Sequence, residues 1–164
     1  MMQLASYYGD GDFGNKIIRA WAGNPSHCEL VINGVCYSSS IRDKGVRAKQ
    51  TGNGPNHINL YNGNWRLLDI GAWADETAAF NWFVDNIGLR YGFGDLIVNQ
   101  VFKTRIDGRG VVCSEAVAKA LGHYSPAGIS PRQLEQFVMF MNEHHSKAVS
   151  GAVVQRLQCM PTPA

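Results

Sequence analysis

Strand-like apolar runs punctuated by turn residues fill most of the first half of the chain, and a helical period replaces them in the second half. "QLASYY" has strand character near the start. In "SHCELVINGVCYSSS" two β-prone runs flank Asn33-Gly34, a dipeptide suited to a two-residue type I′ hairpin because both central residues need positive φ. His27 to Ile32 and Val35 to Ser40 are therefore predicted to pair as antiparallel strands. "GVRAKQ", "HINLY" and "WRLLDI" add strand-like pieces, separated by the Gly/Asn/Pro-rich "TGNGPN" and by "NGN". A small antiparallel sheet is the expected product.

Helical spacing shows first in "GNKIIRAW", Gly14 to Trp21, ahead of the stop signal "AGNP". From Asp75 to Ile87, Ala79, Phe83 and Ile87 recur at i, i+4, i+8, and Gly88 fits the position just past that helix. A shorter apolar stretch, "DLIVNQVF", follows "YGFG". In "GRGVVCSEAVAKALGH" the strand-like Val111 and Val112 give way to an apolar helix face of Ala116, Val117, Ala120 and Leu121, ended by Gly122. The next helix is announced by Ser130 as N-cap, Pro131 in first position and Gln133 closing a capping box, with Leu134, Phe137, Val138 and Met141 on one stripe. The tail "AVVQRL" is read as a returning last strand. No internal repeat or low-complexity segment is visible.

At 164 residues, 45% hydrophobic and 17% charged, the chain has the size and composition of one folded domain spanning 1–164. A net charge of +2 argues against nucleic acid, and the densest basic run, "RDKGVRAK" from Arg42 to Lys49, reads as a solvated loop. No stretch approaches the roughly 18 apolar residues of a membrane span. The start "MMQLASYYGDGD" lacks the regions of a signal peptide, so cytoplasmic synthesis is expected. Without a secretion signal the four cysteines, Cys28, Cys36, Cys113 and Cys159, are expected as free thiols. No C-x-x-C or H-E-x-x-H occurs, and His144 and His145 point two ways from one helical turn. No metal or cofactor is expected.

Cys113 falls where the helix begins. Packing and nucleophile both fit that position, because unpaired cysteine is often buried, yet a helix N-terminus lowers a thiol below its free value of about 8.5. The same unpaired N–H groups can hold an oxyanion. His27, near the start of a predicted strand, supplies a base if the sheet packs on the cysteine helix. Strand alternation puts His27, Glu29 and Val31 on one face and Cys28, Leu30 and Ile32 on the other, so Glu29 can share a cleft with His27.

"SHCELVI" and "VVCSEAVAKALG" in this order resemble the histidine strand and cysteine helix of papain-like hydrolases of the NlpC type. The resemblance is to their circularly permuted branch, which includes the YiiX-like proteins and the lecithin:retinol acyltransferase group. "YGFGDL" stands in the place of the family's aromatic and glycine-rich approach segment. "SSSIRDKGVRAK" and "ISPRQLEQF" are similar to segments of small phage-associated members. The resemblance covers roughly residues 5 to 140, with the His and Cys segments carrying it. It implies an α+β, permuted papain-like fold with a small antiparallel sheet packed against the cysteine-bearing helix. It also implies Cys113 as nucleophile and His27 as general base. For the orienting residue, the strand after the histidine offers Ser38, Ser39 and Ser40 where many relatives carry another polar residue, and Glu29 is the alternative. Tyr91 on the approach segment and Ser39 are the candidates for oxyanion and substrate contacts.

The remaining cysteines read as packing or tail residues: Cys28 points away from His27, Cys36 lies in the partner strand and Cys159 in a Pro-flanked tail. His57, His123, His144 and His145 read as loop or helix-end residues, and Glu115 as a first-turn partner of the helix dipole. By resemblance the leading expectation is an amidase or endopeptidase acting on bacterial cell-wall peptide through a Cys-His thioester mechanism. Its partner would be a peptide or peptidoglycan fragment, and a phage particle or lysis would deliver it without a signal peptide. Two alternatives stand beside it: a lipid thioesterase or acyltransferase, and an inactive binding or virion-associated module. Fold kinship does not choose among them, and the sequence sets no oligomeric state.

Overall fold

The computed structural model describes residues 1–10, 16, 19–20, 23–92 and 110–158, from residue 150 by backbone alone. Five strands form one antiparallel sheet: β1 (Met2–Tyr7), β2 (His27–Ile32), β3 (Val35–Ser40), β4 (Gly45–Gln50) and β5 (Trp65–Asp69), in the order β4-β3-β2-β1-β5. Three helices accompany it among the described residues: α1 (Glu76–Asn86), α2 (Cys113–Ala120) and α3 (Pro131–Gln158). The architecture is α+β. At the β2–β3 turn Asn33 and Gly34 have φ of 50° and 78°, both positive as the type I′ turn demands.

Strand alternation divides the sheet into two faces. Leu4, Cys28, Leu30, Tyr37 and Val46 join Phe83, Val117, Leu134 and Val138 in the main core, which lies between the sheet and the helices. Fully buried side chains such as Leu4, Leu30 and Phe83 each contribute about 1.5–3 kcal/mol through apolar area removed from water. On the opposite face Ala5, Val31 and Cys36 are covered by Leu60, with Ile58, Trp65 and Leu67 packed around them.

The helix starts follow their local chemistry. Asp75 Oδ1 accepts from the N–H groups of Thr77 at 2.9 Å and Ala78 at 3.0 Å, capping α1. Ser130 and Gln133 exchange bonds of 2.9 and 3.2 Å at the start of α3, a reciprocal capping box. Every residue of α2 except Lys119 is buried, because it packs on β2 and β3 beneath and against α1 and α3 at its sides.

Three expectations need correction. "HINLY" forms no strand: only Ile58 bridges, to Thr51, and Leu60 turns inward to cover the second face. "AVVQRL" belongs to α3, since no proline between Arg132 and Gln158 interrupts the helical ladder. Much of "RDKGVRAK" is also no solvated loop, because Gly45 onward pairs with β3 as β4 and Arg47 turns into the sheet's second face. The short helix expected at Gly14 to Trp21, apart from Lys16, Arg19 and Ala20, lies outside the described residues, as do "DLIVNQVF" and Cys159. Among the described residues no helix is long and apolar enough to cross a membrane.

Candidate active site

The start of α2 is fixed from several directions. Ser39 Oγ donates to the Val111 carbonyl at 2.7 Å, and the same oxygen accepts the Gly92 N–H at 3.2 Å. Val111 N–H in turn donates to Arg90 O at 3.1 Å, and Tyr91 and Val111 form a bridge. This close approach needs glycine at 110, where a Cβ would lie 2.8 Å from Arg90 O and from the Gly92 backbone. Glu115 reaches back to accept from Val112 N–H at 3.3 Å and from Gly128 N–H at 2.8 Å, tying the helix start to the loop before α3. By helix geometry the N–H groups of Cys113 and Ser114 have no acceptor four residues earlier. N–H groups at a helix start favour negative charge on the Cys113 sulfur.

His27 is the first residue of β2, and its ring neighbours Cys113, each group shifting the other's protonation. Its Nε2 lies 2.9 Å from Glu29 Oε1, which leaves Nδ1 as the ring nitrogen for the thiol. Trp65 packs edge-on to the imidazole at a centroid distance of 6.3 Å. Glu29 is completely buried, and what makes that tolerable is Arg47: Nη1 donates to Oε2 at 2.6 Å and Nη2 donates to Oε1. The network continues outward, with Arg47 Nε donating to Asp43 Oδ2 at 3.1 Å and Lys49 Nζ donating to both Asp43 oxygens.

These neighbours set the protonation states. Burial disfavours the His27 imidazolium, but the Cys113 charge and hydrogen bond, followed by Glu29, override it and raise His27 to about 10. A hydrogen bond from the Cys28 thiol, joined by His27 and the Cys28 backbone, holds Cys113 well below an ordinary thiol despite its burial. Burial pushes Glu29 up, yet Arg47 and His27 outweigh it and keep it a carboxylate below the usual range. Both shifts favour the thiolate–imidazolium form of the pair. Tyr91 is pushed up by burial and by the neighbouring Cys113, Cys28 and Glu115, so its hydroxyl stays protonated.

Cys113, His27 and Glu29 therefore come together, with Tyr91 next to them. Ser39 is elsewhere in the design. Its side chain is fully buried and its hydroxyl is committed to Val111 O, so it positions the nucleophile's helix and has no face toward a substrate. Ser38 is likewise turned inward, donating to Cys28 O at 2.7 Å. Sequence reasoning missed Arg47 and Cys28. The signal for Arg47 was alternation in "GVRAKQ", which sets Arg47 and Lys49 on one face. For Cys28, alternation does turn it away from Glu29, but toward the face that α2 covers. Among the described residues no three His, Cys, Asp or Glu side chains converge as a metal site. No protein-family model, curated protein or solved structure matches the chain.

Proposed function

We propose that this chain is a cysteine hydrolase of the circularly permuted papain-like type that cleaves an amide bond in bacterial cell-wall peptide. One observation carries the reading: a thiol at a helix N-terminus contacts an imidazole whose other nitrogen is held at 2.9 Å by a buried carboxylate. The order of the elements, histidine strand before cysteine helix, supports the permuted type, and the substrate class follows from the sequence resemblance.

In the reaction the Cys113 thiolate attacks the carbonyl carbon, and the oxyanion forms against the Cys113 N–H and the Tyr91 hydroxyl. Collapse breaks the C–N bond as His27 gives its proton to the leaving amine, leaving a thioester on Cys113. Neutral His27 then takes a proton from water, the hydroxide attacks the thioester, and the thiolate departs. Glu29 fixes the imidazole's tautomer and plane through both steps.

Incubation with muropeptides and with acyl esters, followed by intact mass and product analysis, tests this. A product with a free amine, an acyl adduct on Cys113 and loss of both in Cys113→Ala are expected. Turnover of esters alone would move the substrate to acyl lipids. No adduct and no product from either would make the domain a binding module.

A further inference from the structure

We infer that Cys28 is a resolving thiol for Cys113, so that hydroperoxides convert the two into a reversible disulfide that shelters the nucleophile. The inference rests on the same reactive thiol as the hydrolase reading and adds a second sulfur to the site. Register places Cys28 opposite Ser6 on the helix-covered face of the sheet, and Cys113 begins the helix that covers it. Cys28 and Cys113 belong to one buried core cluster, and the Cys28 thiol is the foremost influence lowering Cys113. Cys28 is 0% exposed and Cys113 2%. Both thiols are buried, and Cys113, lowered at its helix start, is the more reactive of the two toward a small oxidant, with Cys28 in the same core cluster. Cys36 cannot substitute, because it lies on the opposite face among Ala5, Val31 and Leu60.

The chemistry balances with a hydroperoxide as oxidant and a dithiol as reductant. The Cys113 thiolate attacks the peroxide's terminal oxygen; the O–O bond breaks, an alcohol or water leaves, and Cys113 becomes a sulfenic acid. The Cys28 sulfur attacks Cys113 sulfur, the S–O bond breaks, and hydroxide leaves as water with the proton that Cys28 carried. Cys28 is suited to bring that proton, since burial and Cys113 hold it in the thiol form. Exchange with an external dithiol restores both thiols and oxidises the reductant.

The test uses the full chain. It is treated with hydrogen peroxide near pH 7, blocked with iodoacetamide under denaturing conditions, digested without reductant and mapped by mass spectrometry, with a parallel sample reduced by dithiothreitol. The expected result is a Cys28–Cys113 linked peptide in the wild type, with Cys113 recovered after reduction. In Cys28→Ser and Cys28→Ala the link disappears, and in Cys28→Ser, whose hydroxyl can still donate to Cys113, that sulfur accumulates as sulfinic acid that dithiothreitol does not recover. Wild-type Cys113 passing to sulfinic acid as readily as in the variants, or linking to another cysteine, would overturn the inference. Because wild-type mapping is decisive by itself, a poorly folding variant does not blunt the test. Native alkylation separates the two readings. Rapid labelling of Cys113 without the disulfide leaves the hydrolase standing, and slow labelling removes the reactive thiol on which it depends.

Discussion

Arg47 grips both carboxylate oxygens of Glu29, and Glu29 Oε1 at the same time accepts from His27 Nε2 at 2.9 Å. The guanidinium thus sets the plane of the carboxylate that sets the plane of the imidazole. It also neutralises a charge that the sheet's second face could not otherwise hold.

Removing one partner should expose that dependence. Arg47→Met leaves the buried Glu29 carboxylate with His27 but without its guanidinium partner, and a loss of about 3–5 kcal/mol in unfolding free energy is expected. Urea denaturation measures it. Adding Glu29→Gln to Arg47→Met should recover part of the loss, and a double variant no more stable than Arg47→Met would contradict the pairing.

Thiol reactivity reports the Cys113–His27 pair directly. Near pH 7 iodoacetamide should label Cys113 faster than Cys28 or Cys36, which burial raises well above the ordinary range and to about 12 respectively. In His27→Ala the labelling of Cys113 should weaken near neutrality and recover only toward alkaline pH, because the imidazolium no longer favours the thiolate. Peptide-resolved mass spectrometry checks both.

Glu29→Gln separates orientation from substrate binding. An orienting carboxylate implies a fall in kcat greater than the roughly tenfold of a peripheral contact, yet smaller than that of His27→Ala. A rise in KM with kcat unchanged would make Glu29 a substrate contact. Steady-state kinetics on a cleavable muropeptide distinguish the two.

Stability should show a plateau in pH. Glu29 is held low in the folded state, so its contribution is complete above the unfolded value of about 4.3 and is lost as pH falls through the folded value. His27 is raised to about 10; its contribution is complete below about 6.5 and is lost as pH rises through the folded value. Cys113 is lowered and acts in the opposite sense, complete above about 8.5 and lost on acidification. Between about 6.5 and 8.5 the folded and unfolded pairs each hold one proton, so the two slopes cancel. Urea midpoints should be flat across this window and fall on both sides. In Cys113→Ser the fall on both sides should weaken, because the Cys113 charge is the foremost of the influences raising His27.

Ser39→Ala deletes the bond to Val111 O, which still accepts from Gly92 N–H, so a cost of about 0.5–1.5 kcal/mol is expected by thermal unfolding. Hydrolysis should fall further than stability suggests, because the carbonyl two residues before the nucleophile loses its anchor.

The elements that read correctly from sequence were those written in local chemistry. Asn33-Gly34, Asp75 and the Ser130–Gln133 box each fix a boundary through groups within a few residues of one another. The grouping of His27 with Glu29 was legible because a histidine and a carboxylate two apart on a strand must share a face. What lay hidden depends on distant pairing. Nothing in "GVRAKQ" says that Arg47 meets Glu29, since that contact needs β3 between them in the sheet. "HINLY" has strand composition but acquires no ladder, and its Leu60 serves as a lid over Val31 and Cys36. Cys28 was dismissed for facing away from His27, and the helix that it faces is placed only by tertiary packing.

Under the proposed reaction, the encasement of α2 has a consequence for how substrates are chosen. With every residue except Lys119 buried, the helix has no room to tilt or slide. The nucleophile behaves as an anvil: a scissile bond must be brought to it at one height and one angle. Adaptation to different substrates then falls to the surface around the site, and variants there should change what is cut without changing how it is cut.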